Sequence, residues 1–268
     1  MKRLFRNLIL ILFLFLMGAS SYVACANTLN PKEIYVFDMD GTLTPSRQPM
    51  QKEFAKWFKK FIARNDVYLV TGSDLGKIKS QIPNKICKNM KGIFAVMGNE
   101  YYEHNQLIYK NDFVFDKKLL QMLEDFRKNT KYPYKLYPNY IEFRTGMINF
   151  CVVGRDCPIE ERKKYADWDN AAKERVGIQK KLAPLFPELD ITIGGAISMD
   201  IVPKGKGKEQ VADVLRNRFP DSLIIFVGDR TEKGGNDYSI AQRLLELGNT
   251  KIVPVDNPND TMKKLNNK

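Results

Sequence analysis

Histidine is nearly missing from this chain: His104 is the only one in 268 residues. Ser–His–Asp triads, Cys–His pairs and two-histidine metal sites depend on an imidazole placed among partners. His104 has no such company, so these are excluded as the main chemistry. Cysteine is sparse too, with four in all. Once Cys25 is set aside with the N-terminal run, Cys87, Cys151 and Cys157 are left, an odd number without metal-ligand spacing. Single buried thiols account for them, with a Cys151–Cys157 pair as the alternative. No internal repeat is evident. No block of consecutive Lys and Arg interleaved with aromatics occurs, although 43 basic residues against 31 acidic ones give a formal charge of +12. That balance, without a basic stripe, points to a small anionic ligand such as a phosphate ester and away from nucleic acid.

What is present is apolar enough to fold, with 44% hydrophobic and 11% aromatic residues. The N-terminus reads as an export signal over residues 1–26. Lys2, Arg3 and Arg6 precede an unbroken apolar run from Leu8 to Met17, and Ala24-Cys25-Ala26 offers small residues for cleavage. A lipid-modified Cys25 and an uncleaved membrane anchor over Leu8 to Ala26 are the two alternatives. The remainder stays basic when the three leader cations are removed.

Further along, short β-rich apolar runs each end in a polar loop. Ile34 to Phe37 leads into Asp38-Met39-Asp40-Gly41-Thr42, and Val67 to Val70 into Thr71-Gly72-Ser73-Asp74. Ile93 to Met97 ends near Gly98-Asn99-Glu100, and Leu223 to Val227 leads into Gly228-Asp229-Arg230. Between the first two runs, Phe54, Trp57, Phe58, Phe61 and Ile62 fall on one helical face. Buried strand, polar loop, helix is the pattern of an α/β Rossmann-like doubly wound parallel sheet, which binds ligands at the carboxyl ends of its strands. Residues 106–205 differ. Tyr140 to Arg144, Met147 to Phe150, Asp190 to Ile193 and Ile197 to Ile201 alternate, as an antiparallel sheet with one covered and one open face does. Helices over 118–128 and 165–182 would cover it. The expected architecture is a core over 27–105 and 206–268 interrupted by an inserted α+β cap. The polar tail from Asn257 is expected to fray.

Asp38-x-Asp40-Gly41-Thr42 carries the strongest chemical signal. Two carboxylates one residue apart at a strand end can share a cavity and a divalent cation such as Mg²⁺. The first can attack phosphorus while the second moves protons at the ester oxygen. Gly41 lets backbone amides approach a phosphate. Ser73 adds a donor, Lys208 a point charge, and Asp229 a distal acidic metal ligand. Each has a bland reading alone, but together, at these strand ends, they point to phosphoryl transfer.

With these residues in place, the sequence resembles the haloacid-dehalogenase-like superfamily, and within it the eukaryotic-type phosphomannomutases. The resemblance rests on VFDMDGTLTPSRQ (36–48), TGSD (71–74), IEFRTGMIN (141–149), VGRDCPIEER (153–162), GGAISMDIVPKGKGK (194–208) and GDRTEKGGND (228–237). It implies Asp38 as nucleophile and Asp40 as acid/base, with Lys208 and Ser73 assisting. It implies Mg²⁺ on Asp38, Asp229 and the backbone carbonyl of Asp40. Arg47, Arg144, Arg155, Arg162, Ser198 and Asp200 fall at the positions that bind a hexose phosphate. The implied reaction interconverts mannose 6-phosphate and mannose 1-phosphate, primed by a hexose 1,6-bisphosphate, in a cap-to-cap homodimer. Ala196 stands where the family has Gln. Lys206-Gly207 replaces Trp-Asp, which removes a carboxylate that would buttress Lys208. Tyr238 to Arg243 replaces a second cation-binding stretch. An export signal conflicts with the cytoplasmic habit of the family. Two rival functions follow: an exported sugar-phosphate phosphatase on the same scaffold, and a non-catalytic phosphate-binding module.

Overall fold

A computed structural model describes residues 31–266; the expected leader at 1–26 lies outside them. Strand β1 (Glu33–Phe37) lies between β2 (Asp66–Val70) and β10 (Leu223–Gly228), parallel to both. Further out, β3 (Gly92–Ala95) runs parallel to β2, and β11 (Thr250–Pro254) parallel to β10. The antiparallel strands β4 (Glu100–Glu103) and β5 (Gln106–Lys110) complete a seven-stranded sheet in the order β11-β10-β1-β2-β3-β4-β5.

Both faces of the central strands are covered, which is why these runs are continuously apolar. Tyr35, Phe37, Val67, Leu69, Ile225 and Val227 enter one hydrophobic cluster. It includes side chains of α1 (Lys52–Ile62), α2 (Leu75–Gln81), α3 (Asn84–Asn89) and α9 (Pro258–Asn266). The alternate residues Ile34, Val36, Tyr68, Val70, Ile224 and Phe226 pack on the other face, against α7 (Glu209–Arg218) and α8 (Tyr238–Leu247).

The alternating segments form a second, antiparallel sheet of four strands. Its order is β6 (Ile141–Arg144), β7 (Met147–Phe150), β9 (Ser198–Pro203), β8 (Leu189–Gly194). Ile148, Phe150, Met199 and Ile201 join a core with α4 (Lys117–Lys128), α5 (Ile159–Ala172) and α6 (Glu174–Leu182). Their neighbours Asn149, Ser198 and Asp200 point the other way and line a cavity. The open face of the alternation is therefore a cavity wall.

Four details differ from the sequence reading. The first sheet continues to Lys110, past the expected boundary at 105, because His104 and Asn105 both take positive φ and turn β4 tightly into β5. The run Ile93–Met97 leaves the strand after Ala95: Val96 and Met97 adopt positive φ, and their amides bond Ser73 O and Thr71 O at 3.1 and 2.9 Å. That bend fastens the Thr71–Ser73 loop. The helix expected over 165–182 is two helices, broken where Lys173 turns left-handed; Asp169 Oδ1 accepts from Arg175 N at the restart. From Pro258 to Asn266 the tail is helix α9, where the sequence reading expected fraying. Its Leu265 reaches the core, and Thr261 Oγ1 donates to Thr42 O at 2.8 Å, tying the tail to the Asp38 loop.

Phe58 is fully buried, edge-on to Phe37 at 5.3 Å and stacked on Phe54 at 5.7 Å. Phe58→Ala should cost about 3–5 kcal/mol of folding free energy. Urea unfolding would read this, and a loss under about 1 kcal/mol would mean that α1 is not fastened to β1 as described.

Candidate active site

Asp38, the Thr71–Ser73 loop and Asp229 follow β1, β2 and β10 in turn, so the parallel pairing brings them to one edge of the sheet. The loop between β9 and α7 adds Lys208, just before α7. Its Nζ lies 2.6 Å from Asp38 Oδ1 and 2.6 Å from Asp237 Oδ1, with the lysine only 1% exposed. Burial works against the ammonium, but the two carboxylates outweigh it and hold Lys208 above its ordinary pKa.

Asp237 is a residue that sequence reasoning missed. It supplies the carboxylate that Lys206-Gly207 cannot, from 29 positions downstream, immediately before α8. The only trace in the sequence was an aspartate ending the Gly-rich loop after Asp229.

Oxygen atoms of Asp38, Asp229 and Asp237 lie within 4.8 Å of one another. Three carboxylates around one ammonium leave surplus negative charge. Burial first, then Asp237, push Asp38 well above the usual carboxylate range, and the same two causes push Asp229 up to about 6. Asp38 Oδ2 and Asp229 Oδ1 are buried without hydrogen-bond partners among the described residues. Hard, anionic, unsatisfied oxygens of this kind fit a small divalent cation. The approach is close: a Cβ on Gly41, at φ +90°, would sit 2.2 Å from Asp229 Oδ2. The carboxylate of Asp40 is outside this group. Its Oδ1 accepts from Arg47 N at 2.6 Å, offered by a left-handed turn at Arg47.

Asp38, Asp40, Ser73, Arg47, Arg144, Arg155, Arg162, Ser198 and Asp200 all line one cavity of about 430 Å³. Lys208 and Asp229 do not line it; Lys208 acts on it through Asp38. The arginines come from the Arg47 turn, β6 and the 155–162 segment. Glu142 organises them, accepting from Arg144 Nε at 3.0 Å and Lys77 Nζ at 2.9 Å and pairing with Arg155 Nε at 3.0 Å. Partial burial opposes its charge, yet Arg144, Lys77 and Arg155 pull Glu142 down to about 2. Arg144 Nη1 also donates to Gly72 O at 2.6 Å, joining the second sheet to the first. Neither Arg47 nor Arg162 has an ion-pair partner among the described residues. Arg47, although largely exposed, is pushed down to about 10 by desolvation of its guanidinium and then by Arg155 and Arg162. Positive charge is thus in excess on this wall. On the same wall Asn149 Nδ2 donates to Asp200 Oδ1 at 2.6 Å, and Arg155 Nη1 reaches Ser198 Oγ at 3.5 Å.

The family model described as eukaryotic phosphomannomutase matches residues 54–268. The chain belongs to that family. A phosphomannomutase of Dendrobium officinale is 35% identical over 237 residues, covering 84% of this chain and 91% of the relative. Phosphomannomutase 1 of Mus musculus is 33% identical over 231 residues, covering 82% and 87%. In fold, the chain is similar to a haloacid dehalogenase-like hydrolase from Bacteroides thetaiotaomicron, with a TM-score of 0.54 and 13% identity over 88% of this chain and 99% of that one. The departures from the eukaryotic phosphomannomutase pattern are now placed. Ala196 lines the cavity, Asp237 makes good the missing buttress, and Tyr238 to Arg243 form the start of α8.

The cation site should be proton-linked. Asp229 has a raised folded pKa, so its protonated form stabilises the ion-free protein fully below the ordinary carboxylate pKa, and that share is lost as pH rises through about 6. Added Mg²⁺ should therefore raise Tm more at pH 7.5 than at pH 5. Equal shifts at the two pH values, measured by calorimetry, would remove the acidic cluster as the binding site.

Proposed function

We propose that this chain is a Mg²⁺-dependent phosphomannomutase that interconverts mannose 6-phosphate and mannose 1-phosphate through a phosphoryl group carried on Asp38. The observation that supports it most is the single cavity with two unlike walls. One holds a buried carboxylate clamped by a lysine, and the other holds four arginines with positive charge to spare. A mutase needs both, because one phosphate must be gripped while the other reacts. Planar guanidinium forks suit the grip.

In this reading Asp38, Asp229 and the Asp40 carbonyl hold the Mg²⁺, which when bound offsets the charge of the transferring phosphate. Lys208, braced by Asp237, keeps Asp38 oriented. The Asp38 carboxylate forms a bond to phosphorus as the phosphorus–oxygen bond to the sugar breaks. Asp40 gives its proton to the departing sugar oxygen and takes one back when the phosphoryl group moves to the other hydroxyl. Ser73 donates to the transferring phosphate. Arg47, Arg144, Arg155 and Arg162 hold the second phosphate, while Ser198 and Asp200 take sugar hydroxyls. The four-stranded sheet and its helices act as the cap, and a hexose 1,6-bisphosphate primes the enzyme. A homodimer through the cap belongs to the same reading; exposed Val114 and Phe143 support an apolar contact there.

Residues 27–268 with mannose 1-phosphate and Mg²⁺ should isomerise the sugar phosphate only when glucose 1,6-bisphosphate is added, and Asp38→Asn should abolish this. Release of free phosphate without isomerisation would replace the mutase with the phosphatase reading. Wild type that matches Asp38→Asn on every phosphate ester would leave a binding module.

The arginine wall has its own test. Arg144→Ala should lower mutase kcat/KM about ten- to hundredfold, the worth of a charged hydrogen bond, while hydrolysis of a small aryl phosphate changes far less. Equal losses on both substrates would take Arg144 out of the phosphate grip.

A further inference from the structure

Gln81 ends α2, carries no motif and lines the cavity, with the residue only 7% exposed. Polar side chains so deeply buried need partners. One end of its amide faces Thr44 Oγ1 at 3.0 Å, Asp40 Oδ1 at 3.2 Å and the carbonyl oxygen of Gln48 at 3.2 Å. A carboxylate and a carbonyl only accept, so an amide oxygen there would face two acceptors. The amide nitrogen belongs at that end, where it meets all three.

Asp40 Oδ1 then has two donors, Arg47 N at 2.6 Å and Gln81 Nε2 at 3.2 Å. They come from separate elements, the Asp38–Arg47 turn and the end of α2. We infer that Gln81 is a positioning residue for proton transfer: it holds Oδ1 of Asp40 so that Oδ2 carries the proton to and from the sugar oxygen. The inference rests on the acid–base role of Asp40 proposed above. It adds a residue from outside the Asp-x-Asp turn and a division of labour between the two carboxylate oxygens.

Gln81 is itself anchored, which is what a positioning residue requires. Its backbone carbonyl accepts from Met50 N at 2.8 Å, and Thr44 bridges to Asp40 in the same turn. A carboxylate held by one amide can swing about its Cα–Cβ bond, whereas two donors on one oxygen from two directions restrict that rotation. The loss from removing one should appear in the proton-dependent step alone.

The leaving group separates this role from a structural one. A sugar oxygen departs as a poor leaving group unless protonated, whereas 4-nitrophenolate departs without a proton. Single-turnover phosphorylation of Asp38 would be measured with glucose 1,6-bisphosphate and with 4-nitrophenyl phosphate, in full-length protein with Mg²⁺. Gln81→Met keeps the shape and deletes the donor. It should slow transfer from the sugar about tenfold or more, with little change in KM, and slow transfer from the aryl ester by no more than about twofold. Gln81→Glu turns the donor into a like charge against Asp40 and should widen the difference; it carries the test if Gln81→Met does not fold. Equal slowing on both esters, or on neither, overturns the inference. Asp40→Asn is the control. If it discriminates between the esters and the Gln81 variants do not, only the role of Gln81 falls. If Asp40→Asn does not discriminate, the acid–base reading of Asp40 falls, and the role of Gln81 with it.

Discussion

An ammonium buried between two carboxylates organises this molecule. Lys208 can stay charged in the interior only because Asp38 and Asp237 flank it at 2.6 Å, and they come from the loop after β1 and from the loop before α8. A buried ion of either sign left alone costs several kcal/mol. The trio therefore holds three chain segments far apart in sequence in one arrangement, and it does so at the place where a phosphate would react. The charge does not balance, since Asp229 adds a third carboxylate nearby. The same cluster that orders the loops is consequently short of a cation.

Across the cavity the sign reverses. Glu142 gathers Arg144, Arg155 and Lys77, while the guanidinium groups of Arg47 and Arg162 have no ion-pair partner among the described residues, so the wall is short of an anion. A carboxylate cluster wanting a cation reaches this cavity through Asp38, and a guanidinium cluster wanting an anion lines it; a divalent cation would answer the first need and a phosphate the second. The link from Arg144 to Gly72 O ties the two walls together.

Much of this was legible because buried parallel strands carry a plain signature. Ile34 to Phe37, Val67 to Val70 and Leu223 to Val227 are apolar on both faces, and the polar groups at their ends had to fall on one edge of a parallel sheet. The alternation at Met147–Phe150 and Ser198–Ile201 likewise announced a sheet with an open face. Other features left little trace. The segment Pro258–Asn266 reads as polar, and tertiary contacts such as buried Leu265 and the Thr261–Thr42 bond make it a packed helix. Val96 belongs to a β-branched run, so nothing local marks the positive-φ bend that pins the Ser73 loop. Asp237 and Gln81 act through contacts with residues 29 and 41 positions away, and no spacing rule reaches that far.

The sequence by itself determined which residues could do chemistry and at which strand ends they would stand, because backbone periodicity and short motifs are local properties of the chain. With a single histidine, it also left little room for a two-histidine metal site. Only the tertiary structure decided which charges meet: that Asp237, and not a neighbour of Lys208, braces the lysine, that Glu142 gathers the arginines, and that the amide of Gln81 reaches Asp40. Electrostatic pairing depends on distance through space and on burial, and both exist only once the loops have been brought together.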